Sequence, residues 1–335
     1  MINRQWRLAR RPTGPATPAD FEYREDDYAI PALDDGQVLL RNHVFLCAPT
    51  MRNWMDPPGN SLYPSIALGD PVMAPAAGEV VASAHPDFPV GSRVTTFSSW
   101  QDYQVIDGAR LNPIPDGVST IDAMGRYGLN PLTGYFGLLR VGQPAAGETV
   151  VVSGAAGSTG STAAQIAKLL GCRTIGIAGG DDKCRWLVDE CGLDAAIDYK
   201  AGAVEQQLRD LCPNGIDVFF DNVGSGILQA AVDNMARHGR IVLCGQIASY
   251  NDDRLPEGPR NMMRLIYGSI RMQGFLMGDY AAEIPAALAE LKKWGETGAI
   301  RHREDVRSGF KRLPTIFGAL FDGSNQGTLL ASIAD

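Results

Sequence analysis

Cysteine and histidine are few in this chain, and none is spaced for metal chemistry. The six cysteines, Cys47, Cys172, Cys184, Cys191, Cys212 and Cys244, form no CxxC pair. That spacing supports neither a disulfide framework nor a four-cysteine zinc lobe. An open catalytic zinc needs a thiolate, an imidazole and usually a third protein ligand, yet none of His43, His85, His238 and His302 stands in a Gly-His-Glu setting. His238, between Arg237 and Gly239, reads as the end of a helix near the negative pole of its dipole. No metal is therefore expected. A Gly-x-Ser-x-Gly elbow is missing as well, which removes the usual signal for nucleophilic hydrolysis.

Positive charge is also short. Lys and Arg number 30 against 38 Asp and Glu, a formal net charge of −8. Nucleic acid or an anionic membrane would need a basic patch, so neither partner is expected. No apolar run approaches the ~20 residues of a membrane helix. The opening Met1-Ile2-Asn3-Arg4-Gln5-Trp6 has no signal-peptide core. These absences lead to the expectation of a reduced, cytoplasmic enzyme acting on a small molecule.

What is present is a change of texture part-way along 335 residues, a length suited to two domains. The first ~125 residues are rich in Pro and Gly, with short β-type runs such as Gln37 to Arg41, Val80 to Ala82 and Arg93 to Phe97, which suggest a compact β-barrel or sandwich. From about Leu129, apolar runs alternate with helical patterns. Thr149 to Val152 is followed by a helical Thr162 to Leu170, then by Thr174 to Ile177. Lys183 to Glu190 reads as helical, Ala195 to Ile197 as extended, Val204 to Leu211 as helical and Ile216 to Phe220 as extended. Ile227 to Ala236 is again helical, ahead of Arg240 to Leu243. Such alternation predicts a parallel, doubly wound α/β sheet. Further helices are expected over Ile284 to Glu296 and Leu313 to Phe321.

The most informative stretch runs from Val150 to Gly160. Gly154, Gly157 and Gly160, with Ala156, Ser158 and Thr159 between them, lie between a buried-type strand and a helix. Small residues there let backbone approach a pyrophosphate, which then rests on the helix N-terminus. Gly157 and Gly160 keep the second half of the dinucleotide fingerprint; Ala155-Ala156 make the first half atypical. A site preferring the unphosphorylated cofactor would carry Asp or Glu at the tip of the next strand. That strand instead ends Ile177-Ala178-Gly179-Gly180. Asp181 and Asp182 come late and read as first-turn helix residues. Lys183 is a candidate ligand for a 2′-phosphate; the other reading is a solvated lysine in a first helical turn.

With these residues in view, the sequence resembles the zinc-independent leukotriene B4 12-hydroxydehydrogenase, prostaglandin reductase and alkenal reductase branch of the medium-chain dehydrogenase/reductase superfamily. The similarity is carried by Asn3 to Trp6, Arg11 to Gly14, Gly137 to Gly142, Ile177 to Arg185, Ile197 to Lys200, Gly215 to Gly224 and Arg240 to Ile247, in order over nearly the whole chain. It implies a GroES-like β-barrel-type substrate domain of residues 1–128 with 303–335, and a Rossmann NADPH-binding domain of residues 129–302. It implies that Lys183 and Tyr199 hold the 2′-phosphate. Asn222, Cys244, Gly245, Gln246, Ile247, Phe275, Leu276, Met277 and Asn325 would line the cofactor. Tyr250 would be catalytic, and Thr50, Arg52, Tyr63 and Asn130 would be substrate contacts. A homodimer is the family expectation.

There are departures. The branch usually reads Asp-Pro-Tyr-Met-Arg where this chain has Ala48-Pro49-Thr50-Met51-Arg52, which implies a reshaped substrate mouth. Leu129 to Tyr135 lacks the usual Pro-Gly, and Gly327-Thr328 replaces Gly-Lys. The expected reaction is NADPH-dependent reduction of the C=C bond of an enal or enone. The alternatives are an NADPH:quinone reductase of the same fold and a non-catalytic NADPH-binding protein.

Overall fold

The computed structural model describes residues 1–59, 64–252 and 258–333, so Tyr63 lies outside the described residues. The chain divides into two compact units, Met1–Gly125 with Glu304–Asp335, and Arg126–Arg303. In the first unit, β1 (Ile2–Leu8) pairs antiparallel with β2 (Phe21–Asp27). The long strand β3 (Gln37–Leu46) pairs antiparallel with both β4 (Met73–Ser83) and β6 (Tyr103–Asp107). Strand β5 (Arg93–Ser99) joins β4 to the short β7 (Asn112–Pro113). Alternate residues of these strands, Val38, Leu40, Val80, Val94 and Ile106, meet with Leu111 in one apolar cluster. Burying each such side chain is worth about 1.5–3 kcal/mol, which ties the register of β3 to its neighbours.

The second unit is a parallel sheet. Its strands are β8 (Thr149–Ser153), β9 (Arg173–Ala178), β10 (Ala195–Asp198), β11 (Ile216–Asp221), β12 (Met235–Leu243) and β13 (Arg271–Gly274). The spatial order is β10-β9-β8-β11-β12-β13, every pair parallel. This is the doubly wound order 3-2-1-4-5-6, with its switch point between β8 and β11. Strands covered on both faces read as continuous apolar runs, and the period of two then sorts them. Val150, Val152, Val218 and Phe220 enter one cluster; Val151, Ile175, Ile177 and Phe219 enter the other. The chain then returns to the first unit as β14 (Glu304–Ser308) and β15 (Thr328–Ser332), the latter antiparallel to β3.

Two local expectations need correction. The helix after β8 begins at Ser158 rather than Thr162, because Gly160 is held inside its first turns by packing on the backbone of the preceding turn. Helix propensity alone would have discouraged glycine there. The helix expected over Ile227 to Ala236 is Ser225–Asn234, so His238 is not a helix end. It is exposed, with φ +63°, within β12, where the pairing with β11 shifts register between Met235 and Arg240.

Candidate active site at the carboxyl edge of the parallel sheet

The turn leaving β8 is shaped by missing atoms. Gly157 N–H donates to the Gly154 carbonyl at 3.0 Å, and Ala155 N–H to Ile177 O at 3.0 Å. A Cβ on Gly160 would fall 2.4 Å from Gly154 O and 2.9 Å from Ala155 Cα, so only glycine lets this helix sit against the turn. Ala156 and Ser158 are buried, whereas Gly157 and Thr159 are half-buried. The Ser158 hydroxyl is buried and has no hydrogen-bond partner among the described residues. A buried hydroxyl without a partner is costly. Beside the unbonded N–H groups that begin a 12-residue helix, it suits an anionic group such as a pyrophosphate.

At the tip of β9 the Gly179–Gly180 turn opens the helix Asp181–Asp189, which carries Lys183, half-buried, in its first turn. Asp181 and Asp182 pair with Arg185, at 3.3 Å in the case of Asp181. Tyr199 is 45% exposed and lies across the turn. A Cβ on Gly179 would come within 2.7 Å of the Tyr199 ring and 2.8 Å of its hydroxyl. Lys183 and Tyr199 are thus brought to one corner of the sheet edge.

Between β8 and β11, at the switch point, a buried polar knot holds the Asn222 turn. Ser153 Oγ donates to Asp221 Oδ1 at 2.7 Å and accepts from Asn222 N–H at 2.8 Å. Asn222 Nδ2 donates to Ser153 O at 2.7 Å, and the Val223 and Gly224 N–H groups donate to the Asp221 carboxylate at 3.0 and 3.1 Å. Burial pushes the Asp221 carboxyl above its ordinary value, opposed by those bonds. Neither Ser153 nor Asp221 was among the expected site residues. The one signal was a serine closing an otherwise apolar strand.

The loop after β12 is laced onto this knot. Cys244 and Gly245 N–H groups donate to Asp221 O at 2.9 and 3.1 Å, and Ile247 N–H to Asn222 O at 3.2 Å. The loop folds back on itself where Gln246 N–H donates to the Tyr250 phenol oxygen at 3.1 Å. With its oxygen accepting, the phenol's own proton is available to another acceptor. Burial raises the Tyr250 pKa above its ordinary value, so the phenol stays protonated through neutral pH. Burial likewise pushes the Cys244 thiol up to about 12, which leaves it inert as a nucleophile. Phe275 and Met277, following β13, are half-buried against the sheet's apolar cluster, while Leu276 is 69% exposed. Asn130, half-buried, lies on the helix Leu129–Phe136 of the same unit.

The remaining expected residues belong to the other unit. Thr50 is exposed, just before the short helix Met51–Trp54. Arg52, expected as a substrate contact, makes internal bonds. Its guanidinium is buried and donates to Gly14 O and Pro12 O, both at 3.0 Å, and to Asp56 at 2.6 Å. Those bonds make it the organiser of the 12–14 and 51–56 segments. Asn325, half-buried, donates to Gly327 O at 3.2 Å ahead of β15. Among the described residues, no three His, Cys, Asp or Glu side chains gather in a way that could hold a metal ion. None of their helices is long and apolar enough to cross a membrane.

Comparison with known proteins places this arrangement. Residues 4–114 match a family model described as the N-terminal domain of oxidoreductase, and residues 158–305 one described as zinc-binding dehydrogenase. The NADPH-dependent curcumin reductase of Escherichia coli is 38% identical, over 99% of this chain and 97% of its own. The chain belongs to the medium-chain dehydrogenase/reductase superfamily. Within it, prostaglandin reductase 1 of Bos taurus is 36% identical, over 97% of each chain. The crystal structure of CurA in complex with NADPH from Vibrio vulnificus matches with a TM-score of 0.93 and 36% identity, covering 99% of both chains. The similarity to the curcumin and prostaglandin reductases spans both units, so this medium-chain chain is an oxidoreductase of the NADP-dependent type.

Proposed function

We propose that the protein reduces the C=C bond of an α,β-unsaturated aldehyde or ketone with NADPH, the β-sheet unit serving the substrate and the parallel-sheet unit the cofactor. The observation that carries the reading is Tyr250, a half-buried phenol beyond β12 whose oxygen accepts from Gln246 N–H at 3.1 Å, which leaves its own proton for another acceptor. Ligands of open parallel sheets bind at this edge.

Bound NADPH supplies a hydride for the β-carbon. The helix N-terminus at Ser158, with Gly154 to Gly160, holds the pyrophosphate; Lys183 and Tyr199 hold the 2′-phosphate. Asn222, Cys244 to Ile247 and Phe275 to Met277, all of the parallel-sheet unit, would line the nicotinamide. Asn130 would contact the substrate from the parallel-sheet unit. As the β-carbon is reduced, negative charge grows on the carbonyl oxygen, and the Tyr250 proton stabilises it more in the transition state than in the ground state. A proton from water or from Tyr250 completes the α-carbon. The names of the curcumin and prostaglandin reductases and the NADPH held by the Vibrio structure support this assignment.

Tyr250→Phe removes the donor and leaves Gln246 N–H without its acceptor. A hydrogen bond of this kind is worth about 1–3 kcal/mol, so kcat should fall roughly 5- to 150-fold with NADPH affinity unchanged. A wild-type rate in the variant, with hydride transfer shown to be rate-limiting by a deuteride isotope effect, would make Tyr250 a packing residue.

A further inference from the structure

A carboxylate stands where a 2′-phosphate would least favour one. Asp198 closes β10, next to Tyr199 and directly across from the Gly179–Gly180 turn. One oxygen, Oδ1, accepts two backbone N–H groups, that of Gly180 at 2.8 Å and that of Lys200 at 2.9 Å. The first bond holds the residue that opens the Lys183 helix. The second caps the 3-10 turn Tyr199–Ala201, which carries the Tyr199 ring. Together they join the two segments that bear the two phosphate contacts, 18 residues apart in sequence at the Gly180 bond. The absent Cβ of Gly179 completes the fit by giving the Tyr199 ring its place on the turn.

We infer that Asp198 is a positioning residue for NADPH over NADH, fastening the Lys183 helix start to the Tyr199 turn. This rests on the reading of Lys183 and Tyr199 as the 2′-phosphate site. The backbone bonds hold the Asp198 carboxyl below the usual aspartate value, the Gly180 bond contributing most. Its charge is thus partly neutralised by the N–H dipoles it accepts. Geometry and charge make opposite forecasts. A carboxylate acting only through its charge would repel the phosphate, and its removal would tighten NADPH binding. A carboxylate acting as a fastener would weaken NADPH binding on removal and leave NADH almost untouched, because NADH carries a hydroxyl and no phosphate in this corner.

The experiment is equilibrium titration of the intact protein with NADPH and with NADH, followed by cofactor fluorescence, for wild type, Asp198→Ala, Asp198→Asn and Lys183→Ala. Asp198→Ala should lose on the order of 10-fold in NADPH affinity while NADH affinity moves less than about twofold. Asp198→Asn keeps an acceptor oxygen without the charge and should restore most of the loss. NADPH affinity unchanged or increased in Asp198→Ala, or an equal loss for both cofactors, overturns the inference. Lys183→Ala separates the two claims. If it lowers NADPH affinity selectively, the 2′-phosphate reading stands however Asp198→Ala behaves. If it leaves the preference for NADPH intact, that reading itself fails.

Discussion

The turn after β8 and the loop after β12 occupy the same edge of one sheet but are built on opposite principles. The first works by absence: at Gly160 a single added carbon would lie 2.4 Å from a backbone carbonyl oxygen. The second works by connection: the loop from Cys244 to Tyr250 is tied to β11 and to itself through Asp221 O, Asn222 O and the Tyr250 phenol. In the absence-built turn a substitution obstructs; in the bonded loop it subtracts one interaction. The contrast suits the tasks proposed for them, since a pyrophosphate needs close backbone approach whereas a carbonyl oxygen needs one aimed donor.

The largest effect should come from obstruction. Gly160→Ala forces the helix Ser158–Leu169 away from the turn, because the atoms it meets are backbone and cannot rotate aside. Overpacking of this kind costs typically ~1–3 kcal/mol, so the midpoint of thermal unfolding should drop and cofactor titration should fail to saturate. A variant that melts and binds like wild type would mean that the turn does not need glycine.

A smaller and sharper effect is expected at Ser158. Its buried hydroxyl has no partner among the described residues, so Ser158→Ala removes no bond seen in the fold. Stability without cofactor should be unchanged or slightly raised, while NADPH affinity falls by roughly 3- to 10-fold, the worth of one lost hydrogen bond. Thermal unfolding with and without NADPH reads both quantities at once. Reduced stability without cofactor, or unaltered stabilisation by it, would remove the hydroxyl from the phosphate site.

Legibility in the sequence follows the distance over which each feature is encoded. The Gly154 to Gly160 turn and the apolar strands are local patterns, and they survive in the structure with shifts of a few residues at helix starts. Ser153 and Asp221 were passed over because they lie 68 residues apart and meet only when β8 and β11 become neighbours at the switch point. Asp198 was visible beside Tyr199, but its bond to the Gly180 turn depends on β10 pairing with β9. The internal bonds of Arg52 were hidden for a related reason. An arginine in a mouth-like segment suggests a ligand contact until its donors are seen on the carbonyls of Pro12 and Gly14.

The central claim is that hydride reaches the β-carbon of an enone, and deuterium tracing tests it most directly. The protein is supplied with NADPH carrying deuterium at the transferable position, together with a panel of enals and enones, and each product is read by NMR. The account predicts saturated carbonyl products with one deuterium on the β-carbon and an unreduced carbonyl. Deuterium on the carbonyl carbon, or NADPH oxidation by quinones with no enone turned over, would contradict it.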